Sequence, residues 1–590
     1  MLWITNKERD QTMSLNVENL FAINYDAAKS ALYDEVRKVG CNEDHSMYGI
    51  AYIIAKNSTN PDSDLSSLDS FLATNHVVND ISDFLRREIN VKLNGKWDIV
   101  LRLKAEYPAQ QFMAFLLLEN EVFFMRDIKG FSTSALSITA LAKKILNVKP
   151  NERVADFCSG YGTFIVRTFL EEPKATYTGI ELNLDTKAIA EMRSDIIGSS
   201  ITILSDDVMT YETENKFDKI FSDPPLGVKN FSVENASNKP LQFLNQAIPG
   251  LTKRYSSNWL FATAIMNNLA DNGKAVVCVT PNAGFGAVDV DVRRYFVEKG
   301  FIEAVIALPS NLLEVTAIPI LLLVLSYGNT KITFVDASEV VTLGRRKNSL
   351  SDSDISTIIN ALDKKTKISQ KIGVEDISKS NYDLHPARYL SKTPDIKNGV
   401  EFGSLISSIS RGAQIKAEEL DNLVTSENTG LHYIMLNDIQ DGIVNDSLPT
   451  LKELSSQYEK YCVGKDGAFI MSKAGPVFKA AFIQSDDEKI LVNGNMYIIK
   501  LNEKINPIFL KAFIESEVGQ SQLRNLCSGS ALPTISADSI KKIIIPLPDL
   551  ETQNAIAQQY LAKLDEIKVL KDKLRKANEE RLTICLESIK

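Results

Sequence analysis

Paired cysteines are missing from this chain. Its six cysteines, Cys41, Cys158, Cys278, Cys462, Cys527 and Cys585, are scattered without a C-x-x-C pair. That excludes a zinc site or a disulfide framework of the usual spacing and fits reduced thiols in a cytoplasmic protein. Uncharged apolar runs of about 18 residues, the length a membrane helix needs, are also lacking. The longest apolar run, AIPILLLVLSY at 317–327, reads as a buried strand. A positive balance is absent as well: 66 Lys and Arg against 75 Asp and Glu leave a net charge of −9. A broad basic face for nucleic acid is thereby excluded, and any such binding must use a local groove or a partner's help. No GxxxxGK[ST] phosphate loop and no nuclease segment is found. The start, MLWITNKERDQ, turns polar too soon for a secretory leader, and Met13 is a second candidate start. His45 and His76 stand isolated and read as structural histidines.

What is present is a soluble, globular composition, 44% apolar and 24% charged, over 590 residues. That length calls for about three or four domains. Residues 1–128 read as a helical N-terminal domain, from apolar spacing in ENLFAINYDAAKSALYDEVRKV, SLDSFLATNHVVNDISDFLRREI and QQFMAFLLLENEVFFMRDI. Ser132, Thr133 or Ser134 would cap the helix that follows. Over 129–336, strand-like segments (RVADFC, TYTGIEL, ITILSD, FDKIFSD, KAVVCVTP, IEAVIALP, PILLLVLSY) alternate with helical ones. This pattern predicts an α/β, Rossmann-like domain with a mostly parallel sheet. Residues 337–400 read as a polar connector. From 401 to 550 short strands with Gly, Asn and Ser turns predict an α+β domain. Residues 551–590 form a long charged helix, with Leu564, Ile567, Leu570, Leu574 and Ala577 at steps of three and four, a short coiled-coil seam.

The chemistry concentrates between Val154 and Gly227. Asp156, Gly160 and Gly162 follow a strand and open a helix, where glycines admit a ligand close to the backbone. Alone this pattern serves nicotinamide, flavin or methyl-donor sites alike. Glu181 ends the next strand about twenty residues on, where an acid accepts ribose hydroxyls. A third strand ends in Asp206-Asp207, of which Asp207 is the better candidate for an adenine amino group. A fourth ends in SDPPLG. Pro224 and Pro225 force a rigid extended loop. Asp223 and the Pro224 carbonyl then stand as two fixed acceptors for an exocyclic amino group, drawing it toward tetrahedral geometry and freeing its lone pair.

The set FCSGYGTF, GIELN, DDVM and SDPPLG resembles the gamma class of N6-adenine DNA methyltransferases, in particular the modification subunits of type I restriction systems. WLFATAIMNNLADNGKAVVCVTPNAGFG, RRYFVEKGFIEAVIALPSNLL, TAIPILLLVLS and NYDLHPARYL resemble the same family's later segments. The resemblance implies S-adenosyl-L-methionine as cofactor and adenine N6 in double-stranded DNA as acceptor, with no metal. It adds Ser159 and Phe164, inside the glycine motif, to the candidate cofactor contacts. Phe131-Ser132-Thr133-Ser134 falls where the family has a Phe-Tyr-Thr-Pro-like stretch, so Thr133 is carried over too. One departure stands out. The family places an aromatic after Asn/Asp-Pro-Pro to stack on a flipped base, and this chain has Leu226. Stacking recovers roughly 1–3 kcal/mol per base, so weaker base capture is expected, and a methyltransferase-fold DNA-binding scaffold is the alternative reading.

Residues 401–590 resemble half of a type I specificity subunit, most clearly in SGSALPTISADSIKKIIIPLPDLETQNAIA and in the hairpin GAFIMSKAGPVFKAAFI. One target-recognition domain fused to one methyltransferase implies one half-site per chain. The terminal helix is then expected to pair two chains into a homodimer, with any cleavage supplied by a restriction (nuclease or translocase) subunit. Lys473, Lys479 and Arg524 are candidate phosphate contacts. Methylation of RNA or of a protein glutamine is disfavoured by the recognition domain.

Overall fold

The computed structural model describes residues 17–41, 44–120, 133–198, 201–228, 238–248, 255–313, 316–390, 396, 398–415, 417–440, 442–475, 477–526 and 534–587. The chain forms two compact units, divided after Leu390.

In the first unit, helices run from Val17–Phe21 to Ala109–Leu118 around the helix His45–Thr59, which buries every residue from Ser46 to Ala55. The helical expectation holds here, but the region is not a free-standing layer. Tyr161, from the turn before the helix Thr163–Glu171, Val166 and Leu170 from that helix, and Ile189, Met192 and Ile196 from the helix Leu184–Ile197 complete the same apolar core.

That core abuts a nine-stranded sheet. Its strands are β1 (Arg153–Phe157), β2 (Thr176–Glu181), β3 (Ile201–Ser205), β4 (Phe217–Ser222), β5 (Leu269–Val279), β6 (Ile302–Ala307), β7 (Leu321–Leu325), β8 (Lys331–Asp336) and β9 (Ser369–Gly373), in the order β3-β2-β1-β4-β5-β7-β6-β8-β9. Only β7 and β9 run against the rest. Side chains alternate between two faces, as a strand's period of two requires. Ala155, Phe157, Val277 and Val279 enter one core, while Val154, Val276 and Cys278 enter the other. β7 is buried along its whole length, so the apolar run at 317–327 contains the buried strand expected of it. At about 1.5–3 kcal/mol per buried large apolar side chain, these two cores and the helical core together dominate the unit's stability.

The stretch 337–390 does not behave as the connector its polarity suggests. The helix Asp352–Asp363, held at its start by the reciprocal Ser351–Asp354 capping box, buries Ile355, Ile358 and Ala361 on the sheet. β9 then pairs with β8, and Tyr389 stacks on Phe334 with ring centroids 4.3 Å apart. Charged residues on the outer face of one amphipathic helix disguise an element that completes the sheet.

The second unit is α+β, with the strands the sequence leads one to expect. Ile406–Arg411, Met496–Leu501, Ala468–Ser472 and Ala480–Ile483 form a four-stranded sheet. Leu431–Ile434 and Lys489–Val492 lie at the middle of a five-stranded one. Two helices follow Asn506, Pro507–Glu515 and Glu517–Asn525, and the break packs Gly519 so tightly that an added Cβ would lie 2.1 Å from the Phe513 carbonyl. Gln553 explains part of the terminal signature: buried, it accepts from the Asn506 amide at 2.8 Å and donates to the Pro548 carbonyl at 2.8 Å. The helix Leu550–Glu587 docks by Gln553, Ala557 and Tyr560, then leaves Leu561, Ile567, Leu570 and Leu574 exposed.

Candidate active site

The order of β3, β2, β1, β4 and β5 puts the reversal of the winding between β1 and β4, and an open α/β sheet holds its ligand at the carboxyl ends of strands at such a point. Every candidate acid from the sequence sits on these strand ends. After β1 the backbone enters the left-handed region at Cys158, Gly160 and Gly162, so the chain turns sharply into the helix Thr163–Glu171. At Gly162 a Cβ would also press on Ala190 at 3.3 Å. Glu181 closes this turn: its Oε2 accepts from the Gly160 amide at 2.9 Å and its Oε1 from the Asn183 amide at 2.8 Å.

Asp156 is buried, and its carboxyl lies well above the usual carboxylate range, first because of burial and then because of the Asp223 and Glu181 charges. Burial likewise raises the Cys158 thiol, helped by Glu181, Asp156, Asp207 and Asp223. The charges acting on these two groups are all carboxylates. A bowl so lined suits a ligand that brings positive charge with it, and S-adenosyl-L-methionine, with a sulfonium and an ammonium, fits that donor set. Of the two acids after β3, Asp207 is among the charges that raise the Cys158 thiol. Its Oδ1 also accepts from the Met209 amide at 2.9 Å, fixing the turn, while Asp206 accepts from the Asp207 amide at 2.7 Å.

One sequence candidate falls elsewhere, and a second lies inside the glycine turn. Phe164 is fully buried and stacks on Phe221, centroids 4.5 Å apart, so it is a core residue and not a cofactor contact. Helical periodicity turns its side chain into the sheet. The Ser159 hydroxyl is buried without a hydrogen-bond partner and faces Gly179, where an added Cβ would come within 2.9 Å of it.

The double-proline loop is tied to β1 through Ser222, whose hydroxyl donates to the Phe157 carbonyl at 2.7 Å. Burial raises the Asp223 carboxyl to about 6, and hydrogen bonds from Ser134 and Cys278 moderate that rise. The β4–β5 register explains the second donor, since Ser222 pairs with Val277 and the next residues are neighbours. Pro224 is buried, and Pro225 and Leu226 are half-buried. Leu226 packs against the apolar core that also takes the helix Leu136–Leu146. Thr133 is half-exposed beside Ser134, while Phe131 and Ser132 lie outside the described residues. The expected cap is absent: Ala135 occupies the N-cap position of that helix, and the Ser134 hydroxyl is directed to Asp223 instead.

Sequence reasoning missed the residues that hold these parts together. Arg193, fully buried, donates to the carbonyls of Leu116 at 2.7 Å, Glu119 at 2.7 Å and Tyr161 at 2.9 Å. Asn120 accepts from the Thr163 hydroxyl at 2.7 Å and donates to the Ser134 carbonyl at 2.7 Å. The helical region thus locks the glycine turn to the segment that touches Asp223. An arginine inside an otherwise mixed helix was the only available signal, since a lone buried guanidinium demands several acceptors. In the second unit Lys479 is not a phosphate contact, because its ammonium donates to the Leu436 and Ile439 carbonyls at 3.1 and 2.6 Å. Lys473 is half-buried and Arg524 exposed.

Residues 133–397 match the family model described as N-6 DNA Methylase, and residues 409–579 match the Type I restriction modification DNA specificity domain. The first segment is thus similar to an N-6 DNA methylase and the second to a type I specificity domain. The MpnII methylase subunit of a type I restriction enzyme from Mycoplasma pneumoniae is 25% identical over 48% of this chain and 56% of its own length. A similar subunit, MjaVIII of Methanocaldococcus jannaschii, is 22% identical over 48% of this chain and 53% of its own. This chain therefore spans about half the length of the curated relatives it matches. Among solved structures, the type IIG restriction endonuclease BpuSI aligns with 90% of this chain and 74% of its own at a TM-score of 0.50 and 12% identity, a likeness of fold. Among the described residues no helix is long and apolar enough to cross a membrane.

Proposed function

We propose that this chain transfers a methyl group from S-adenosyl-L-methionine to N6 of adenine in double-stranded DNA, at a site chosen by its own specificity domain, within a restriction-modification system. The observation that carries this reading is the convergence of Asp156, Glu181, Asp207 and the Asp223-Pro224-Pro225 loop on four neighbouring strand ends of an N-6 DNA methylase fold. When bound, the cofactor supplies an electrophilic methyl group on a positively charged sulfur. Glu181 holds the ribose hydroxyls, Asp207 takes the cofactor's adenine amino group, and the glycine turn with Asp156 seats the remainder. Thr133 lines the methionine end.

Asp223 and the Pro224 carbonyl accept the two hydrogens of the target amino group. With the hydrogens held below the ring plane, the nitrogen lone pair leaves conjugation and faces the methyl donor; Asp223 receives the proton released on transfer. No strong base is required, because the loop's fixed acceptors lower the barrier by positioning and electrostatics. Pro225 keeps the loop extended and Leu226 forms the apolar wall beside the base. Transfer of label from the cofactor to DNA, with Asp223→Ala as control, tests the reading; equal incorporation by both proteins overturns it.

Leu226 favours one second reading, a scaffold that binds cofactor and DNA with weak turnover. Under it, cofactor and DNA bind normally while label incorporation stays at the Asp223→Ala level. The exposed stripe from Leu561 to Leu574 supports pairing of two chains, which would give an interrupted two-fold DNA target. Light scattering of the full chain against a chain ended after Lys563, which keeps the docked Gln553, Ala557 and Tyr560, tests it: an unchanged mass rules the helix out as the pairing element. Cleavage would fall to a separate restriction subunit.

A further inference from the structure

A basic loop stands at the catalytic end of the first sheet and belongs to none of the motifs above. β4, β5, β6 and β8 run in one direction, so the segment after β8 emerges at the same edge as Asp223. There the chain reverses through Thr342–Ser349, two residues bridged by amide-to-carbonyl bonds of 2.9 and 3.0 Å. The reversal is rigidly built. A Cβ on Gly344 would lie 2.0 Å from the Lys347 carbonyl, so the turn admits only glycine. Asn348 donates to the carbonyls of Asn311 at 2.8 Å and Ser310 at 3.0 Å, and Asn311 donates back to that of Arg346 at 3.2 Å. The Thr342 hydroxyl donates to Asp354 at 2.7 Å.

The loop is also linked to the reaction site. Leu350 donates its amide to the Ser137 hydroxyl at 2.9 Å, three residues from the Ser134 that touches Asp223. Three residues span at most about 10 Å, which puts the loop's base within a few base-pair steps of the target position. On the tip, Leu343 is 80% exposed and Arg345 and Arg346 are exposed. Neither arginine forms an ion pair among the described residues. In a protein with a net charge of −9, two adjacent, unneutralised guanidinium groups on a braced turn are a local exception.

We infer that the Thr342–Ser349 loop is a duplex-DNA contact, with Arg345 and Arg346 on backbone phosphates flanking the target adenine. This rests on the DNA-methylase reading above. The loop fixes the position of the duplex and carries no sequence preference, since phosphates present the same groups at every step. It also supplies the local basic surface that the overall charge denies the molecule.

The test is binding of the full chain to a mixed-sequence DNA duplex over a series of salt concentrations. Arg345→Ala with Arg346→Ala should weaken binding about tenfold and make the slope of log K against log salt shallower by about 1.8, as for two lost phosphate contacts. Arg345→Lys with Arg346→Lys should keep most of the slope. Lys144→Ala with Lys331→Ala removes equal charge from the opposite end of the sheet, where both residues line one cavity, and should leave the slope unchanged. Cofactor affinity should be the same in all four proteins. If the arginine pair leaves the slope unchanged, or both alanine pairs flatten it equally, the loop is no DNA contact and the inference is overturned. A wild-type chain that transfers no methyl group yet shows the arginine-dependent slope would fail the enzymatic reading and keep this one.

Discussion

Glu181 and Asp223 end neighbouring parts of one sheet, yet they are held by different kinds of donor. Glu181 accepts from two backbone amides, that of Gly160 in the turn after β1, 21 residues earlier, and that of Asn183, two residues on. Asp223 accepts from two side chains, Ser134 and Cys278, which arrive from segments about ninety and about fifty residues away. Backbone donors come with the turn and survive most substitutions. Side-chain donors exist only if three distant segments pack correctly, so the Asp223 contacts are more exposed to substitution than those of Glu181, although Arg193 and Asn120 tie the glycine turn to the helical region as well.

The largest effect should come from removing the acceptor itself. Asp223→Ala should lower kcat for methyl transfer by about 100-fold or more, as loss of a preorganised polar partner does, while cofactor affinity measured by calorimetry changes little. A parallel loss of cofactor binding would mean that the two halves are not separable. Next in size is the clamp. Arg193→Met strands three buried carbonyls, and at about 1–3 kcal/mol each it should destabilise the fold by about 3 kcal/mol or more, visible as a lower Tm. An unchanged Tm would show that the helical region does not lock the site.

The donors to Asp223 sharpen the comparison further. Burial holds that carboxyl up to about 6, and the ionised form is the better acceptor, so kcat/KM should fall as pH drops through about 6 and level off above it. Ser134→Ala and Cys278→Val each remove a bond that favours the carboxylate. Both should move the acid limb to higher pH and cost most activity near pH 6, and Cys278→Ser, which keeps a donor, should restore the profile. A limb that stays in place in all three variants would assign it to another group. The smallest effect concerns Leu226. Leu226→Phe should raise kcat/KM about fivefold through stacking on the base, unless the core contact Leu226 makes excludes the ring, in which case Tm falls and the rate does not rise.

Much of this was readable before any coordinates. β1 to β7, the glycine turn, Glu181 and the double-proline loop are local patterns, and each lies where its pattern implied. The exceptions share a cause. The helix His45–Thr59 is buried on all sides and so lacks the one-sided periodicity that marks a helix. β9 is a short, polar edge strand, SQKIG, recognisable only from its pairing with β8. Cys278 looks like any small residue in an apolar strand until the Ser222–Val277 register sets it beside Asp223. Phe164 sits in a cofactor motif and still turns inward, because motif membership says nothing about which face of a helix a side chain occupies. Long-range register and helix facing are tertiary properties, and they decide the acceptor half of this site.

The most direct measurement is the identity of the modified nucleoside in DNA from cells that carry this protein, compared with cells that carry Asp223→Ala. N6-methyladenine at one recurring sequence with the wild-type chain, and its absence with the variant, is the predicted result. Methylcytosine, or N6-methyladenine that persists undiminished in the Asp223→Ala cells, would contradict the assignment of the Asp223-Pro224 loop to the adenine amino group.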